Sequence, residues 1–143
     1  MKRNSQEILT LLEKYGNDTR RILRENKKLA YLYALSELRE NLLEWYGFQP
    51  ESRLLQIGAD WGALTGLFAG RVESVTVLDP EEEALKVVQK RFSEQGQAVC
   101  CVKAELTEYA AREPEAYDYV IFAGGFSGET DKKSQLEAAR ELV

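Results

Sequence analysis

The chain has 143 residues, enough for one domain of ordinary size or for part of a larger one. Apolar residues make up 44% and charged residues 30%, which excludes a disordered chain, and no apolar run is long enough for a bilayer span. Residues 1–29 carry eight Lys or Arg against four Asp or Glu, and the remainder eleven against twenty, so an acidic body argues against nucleic-acid binding. Nothing at the start reads as a secretory leader, which points to the cytoplasm. There is no histidine, so Ser-His-Asp and Cys-His nucleophiles and histidine-ligated metals are excluded. Cys100 and Cys101 are adjacent in an apolar run. On a strand they point to opposite faces, so no metal is expected, and they read as buried thiols.

The first 48 residues read as a helical segment. Ile8, Leu11, Leu12 and Tyr15 make one helical stripe, which Gly16-Asn17-Asp18 interrupts. Arg20, Arg21, Arg24, Lys27 and Lys28 surround Ile22, Leu23 and Leu29, a pattern that suits a solvated helix face or an acidic partner. Leu35, Leu38, Leu42 and Trp45 predict one further helix with Trp45 in the core, ended by Gly47 and Pro50.

From Arg53 the texture changes. Leu54 to Ile57 predicts a strand that runs into Gly58-Ala59-Asp60-Trp61-Gly62 and a helix from Ala63 to about Gly70. Val75 to Leu78 predicts a second strand, and Asp79-Pro80 a helix through Phe92 with Leu85, Val88 and Phe92 inward, stopped by Gly96. Ala98 to Val102 is a third strand, and a short helix around Thr107 to Ala111 ends before Pro114. Tyr119 to Ala123 is a fourth strand. Gly124-Gly125 then turns, and Thr130 caps a last helix with Leu136, Ala139 and Val143 on one face. Alternating strands and helices predict an α/β, doubly wound parallel sheet, with any ligand at the strand ends. The division is 1–48 helical segment and 49–143 sheet domain.

A glycine turn between strand and helix brings backbone N–H groups close to an anionic ligand. The dinucleotide pattern Gly-x-Gly-x-x-Gly fails, because Asp60 and Ala63 stand where it needs glycine, and the Gly-x-x-x-x-Gly-Lys phosphate loop is absent. The stretch Leu54-Leu55-Gln56-Ile57-Gly58-Ala59-Asp60-Trp61-Gly62-Ala63-Leu64-Thr65 resembles the first motif of class I S-adenosylmethionine-dependent methyltransferases. Val75-Thr76-Val77-Leu78-Asp79 resembles their second strand, which ends in an acid that grips ribose hydroxyls. Val102-Lys103-Ala104-Glu105 resembles the turn whose acid reaches the adenine amino group, and Tyr117-Asp118-Tyr119-Val120-Ile121-Phe122 resembles the start of the fourth strand. The resemblance implies a Rossmann-like sheet in the order 3-2-1-4, part of a seven-stranded whole. It also implies S-adenosylmethionine held by Gly58, Ala59, Gly62, Asp79, Pro80, Glu105 and Ala123. Two positions depart from the family: Gln56 stands where it carries an acid, and Asp60 where it carries glycine. The helix Tyr33 to Tyr46 also resembles a segment preceding such regions in some bacterial multidomain glycosyltransferases.

Each of these residues has a structural role open to it as well. Asp79 could cap the helix that begins at Pro80, Asp60 could cap the helix after its turn, and Gly58 and Gly62 could serve helix–strand packing. Glu105 could be a solvated helix start, and Trp61 could shield a pocket or pack on the N-terminal helices. Two functions follow: a methyltransferase acting by in-line displacement on an unknown small-molecule or protein acceptor, with no catalytic base assigned, or a non-catalytic domain beside another enzyme module. The fourth strand is apolar and free of Lys or Pro. It predicts self-association, or packing on a downstream domain, through its edge or the last helix.

Overall fold

The computed structural model describes residues 5–93, 98–112, 117–123 and 132–143. Three helices lead: α1 (Ser5–Tyr15), α2 (Thr19–Glu25) and α3 (Leu29–Leu35). After a 3₁₀ turn at Leu38–Leu42 come β1 (Arg53–Ile57), α4 (Thr65–Arg71), β2 (Ser74–Asp79) and α5 (Glu82–Arg91). Then follow β3 (Val99–Lys103), α6 (Leu106–Arg112), β4 (Tyr119–Phe122) and α7 (Lys132–Glu141). The four strands are parallel and ordered β3-β2-β1-β4, the Rossmann-like arrangement expected. Gly96, Pro114, Gly124, Gly125 and Thr130, assigned above to turns and a cap, lie outside the described residues.

Both faces of the sheet are covered, which is why β1 reads as an apolar run rather than an alternation. Leu54, Val75 and Val77 pack with Leu64, Phe68, Leu85 and Val88 of the α4–α5 layer. Leu55, Ile57 and Leu78 pack with Leu106, Tyr109, Ala138 and Leu142 of the α6–α7 layer. A third cluster joins Ile8, Leu12, Ile22, Tyr31 and Leu35 to Trp61 and Val87, so the N-terminal helices lie on the outer face of α5. The Gly16-Asn17 break matters here. Both residues have positive φ, and Asn17 Nδ2 donates to the Lys90 carbonyl at 2.9 Å, at the end of α5.

Three expectations need correcting. The helix foreseen through Trp45 stops at Ser36, whose hydroxyl donates back to the Leu32 carbonyl and accepts from Leu38 N–H at 3.3 Å. Trp45 is 77% exposed; Phe48 takes the core place, with ring centroids 5.1 Å from Tyr119 and 5.8 Å from Phe68. The buried face of α7 holds Ala139 as expected, but with Gln135, Ala138 and, just beyond, Leu142, while Leu136 and Val143 are exposed. The cysteines are not both buried, because β3 is a sheet edge: Cys100 is exposed, and Cys101 is half-buried against the α5 side. Burial pushes the Cys101 thiol up to about 11, so it stays protonated at neutral pH.

Candidate functional site

In a doubly wound sheet, ligands lie outside the carboxyl ends of the strands. Here that edge begins with the turn after β1. Gly58 has φ +95°, and Asp60, Trp61 and Gly62 follow at +45°, +52° and +80°. Three consecutive left-handed residues, two of them not glycine, cost on the order of 1–2 kcal/mol for each non-glycine residue, so the turn needs bracing. Gln56 supplies it from below. Fully buried, it donates through Nε2 to the Gly58 and Ala59 carbonyls at 2.9 and 3.3 Å, and accepts the Thr65 hydroxyl at 2.8 Å.

Arg91 braces the turn from the side. Its guanidinium donates to the Trp61 carbonyl at 2.5 Å and to the Ala34 carbonyl at 2.9 Å, joining the turn to α3. Burial pulls its pKa down to about 10, offset in part by the charge of Glu40, so it remains cationic at neutral pH. Trp61 points away from the strand ends: Nε1 donates to Ser5 Oγ at 3.0 Å and Tyr31 lies 6.1 Å away, ring to ring. Gly62 is a packing residue, since a Cβ there would come within 2.6 Å of the Phe92 ring.

Asp79, at the end of β2, does not cap α5, whose N-cap is Glu81. Instead Oδ2 accepts Ala59 N–H at 2.9 Å and Oδ1 accepts Glu81 N–H at 2.8 Å, tying the β1 turn to the start of α5. Asp60 does not cap α4 either; that N-cap is Leu64, which makes no side-chain bond. The Asp60 carboxylate is bound by the Arg39 guanidinium, which also donates to the Ala123 carbonyl at 3.1 Å, just past β4.

A cleft opens at this edge, lined by Ile57, Gly58, Leu78, Asp79, Pro80, Ala104, Glu105, Leu106, Thr107 and Gln135. Of the residues named from the sequence, Gly58, Asp79, Pro80 and Glu105 meet on its walls. Ala59, Gly62 and Ala123 do not line it. Its volume is about 30 Å³, with Gln135 of α7 on its wall. Arg39 and Arg91 escaped the sequence reading, because nothing in their local pattern sets them apart from solvated basic residues. Of the basic run, Arg21 sits over Tyr15 and beside Glu25, and Lys28 pairs with Glu7 at 2.7 Å. Among the described residues, no group of three or more His, Cys, Asp or Glu is placed to hold a metal, and no helix is long and apolar enough to cross a membrane.

A braced glycine turn, an acid ending the second strand and a cleft at the strand ends define a doubly wound ligand-binding domain. The chain belongs to the methyltransferase domain family, whose model matches residues 54–143. It is similar to the ubiquinone biosynthesis O-methyltransferase of Saccharophagus degradans, 30% identical over 112 residues, covering 78% of this chain and 48% of the relative. The Nitrosomonas europaea protein of the same name is 28% identical over 133 residues, covering 92% and 57%. The chain thus spans about half the length of these curated relatives. Both alignments are longer than the matched family region, so the likeness continues into the N-terminal helices. Among solved structures, precorrin 8w decarboxylase of Methanobacterium thermoautotrophicum superposes with a TM-score of 0.62 at 18% identity, over 75% of this chain and 56% of that one. Coclaurine N-methyltransferase bound to N-methylheliamine and SAH gives 0.61 at 20% identity, over 76% and 33%.

Proposed function

We propose that the chain is the cofactor-binding part of an S-adenosylmethionine-dependent methyltransferase of the cytoplasm. The observation that carries this reading is the meeting of Asp79 and Glu105 with Gly58 on one cleft at the carboxyl ends of β1, β2 and β3. Two carboxylates between apolar walls suit a nucleoside: one accepts ribose hydroxyls, the other an exocyclic amine. Each Asp79 oxygen accepts one backbone N–H and keeps a lone pair for a hydroxyl. The cleft as folded is narrow, and Gln135 of α7 stands on its wall. The cofactor supplies an activated methyl group, and methyl transfer needs an aligned acceptor more than an acid or base. The chain's part is to orient the nucleoside. Its β4 edge is the place for a further strand or a second copy.

Calorimetry with S-adenosylhomocysteine and the whole chain tests the reading. Wild type should bind at millimolar ligand or below, and Glu105→Gln should lose about tenfold, the worth of one hydrogen bond to a charged acceptor. An unaltered melting temperature would confine the loss to binding. No heat from wild type at millimolar ligand would sink the proposal.

A further inference from the structure

The strand order fixes a path along the ligand edge. The Asp79–Glu105 cleft lies at the ends of β2 and β3. Next comes the β1 turn, and beyond it the end of β4, where Ala123 N–H donates to the Ile57 carbonyl at 2.9 Å. At that far end Arg39 is held between the Asp60 carboxylate and the Ala123 carbonyl. Its side chain is one quarter exposed, and that of Asp60 is nearly buried. A nucleoside seated in the cleft with a chain on its 5′ carbon running past Gly58 carries that chain toward Arg39. If the chain ends in an amino acid, its carboxylate meets a guanidinium that already has a carboxylate bound.

We propose that Asp60 is a built-in stand-in for the ligand's carboxylate, so that a cofactor bearing an amino acid binds by displacing Asp60 from Arg39. This inference rests on the nucleoside reading of the cleft and adds a rule of selectivity. The chain as folded discriminates against the amino-acid tail and leaves the nucleoside end unaffected. Arg39 already holds the Asp60 carboxylate, so a second carboxylate arriving there competes with it for the guanidinium at a largely desolvated place. Nor does Gln56, the neutral residue beneath the turn, offer a compensating charge: its amide is committed to the Gly58 and Ala59 carbonyls and to Thr65.

Two probes separate the ends of the site. S-adenosylhomocysteine carries the amino acid, and 5′-methylthioadenosine is a thioether of the same nucleoside without it. Calorimetry on the whole chain should give an S-adenosylhomocysteine affinity about tenfold tighter for Asp60→Asn than for wild type, as an occupied guanidinium is released. The 5′-methylthioadenosine affinity should not move. Asn keeps the shape and tolerates the left-handed backbone that Asp60 adopts, so the variant retains the turn. Arg39→Gln should act in the opposite sense, weakening S-adenosylhomocysteine and again sparing 5′-methylthioadenosine. If both probes bind and their ratio is the same in wild type and Asp60→Asn, the stand-in is refuted while the nucleoside reading survives. If neither probe binds any of the three proteins, the nucleoside reading fails and takes this inference with it.

Discussion

Gln56 stands where the resemblance implied an acid, and it is fully buried with its amide spent on the turn. Both Nε2 hydrogens reach backbone carbonyls of the strained turn, at Gly58 and Ala59. Gln56→Glu replaces those donors with a carboxylate facing two carbonyl oxygens away from water. We expect a loss of about 2–3 kcal/mol in urea unfolding at neutral pH. The introduced acid would titrate above its unfolded value in the folded chain, so stability should recover as the pH falls through that raised pKa and a proton restores one donor. A variant as stable as wild type at pH 7 would show that the turn stands without these bonds. The sequence made Gln56 conspicuous only as a departure. Its partners could not be read, because they depend on which face of β1 meets α4. Arg39 and Asp60 lie 21 residues apart across a segment whose course the helix period misjudged, so their pairing was beyond local pattern.

At the scale of elements, strands were read well and helix faces less so. Parallel strands buried on both sides announce themselves as apolar runs, and all four were found within about a residue of their ends. A helix of small residues gives a weaker signal. In α7 the larger Leu136 suggested an inward face, whereas Ala138 and Ala139 are what allow close approach to α6. The β4 edge is where an element leads to a prediction. Among the described residues β4 pairs with β1 alone, and Val120, Ile121 and Phe122 are only partly buried. An edge strand with half-covered apolar side chains favours pairing with another strand. In light scattering over a concentration series, the chain should move from monomer toward dimer by high micromolar concentrations, and Ile121→Lys should remain monomeric. A wild-type chain that stays monomeric over that range counts against the idea.

Across the whole molecule, the helical segment and the sheet were legible as two textures, but their union was not. The sequence assigned α5 one inward face, through Leu85, Val88 and Phe92; the structure also buries Val87 on the opposite side, under α1. A helix covered on both sides looks in sequence like an amphipathic helix with an extra valine. The tie is polar as well as apolar, through Asn17 to Lys90, Ser5 to Trp61, and Arg91 to Ala34. The first 48 residues therefore help to shape the ligand edge, since Arg39 is supplied by them.

That docking has a consequence for biosynthesis. The helices made first rest on one made much later: Asn17 and Lys90 are 73 positions apart. At ordinary translation speeds of about 5–20 residues per second, the interval between them is roughly 4–15 s. Throughout it Ile8, Leu12 and Ile22, wholly buried in the finished protein, lack the helix they pack against. The N-terminal helices should then remain open to chaperones and proteases until α5 leaves the ribosome. Trypsin can report this through Arg20, Arg21 and Arg24 on α2. Stalled nascent chains that have exposed residues only through Pro80 should be cut there readily, and chains that have exposed α5 should be protected. Equal protection at both lengths would mean that the N-terminal helices find a stable fold of their own.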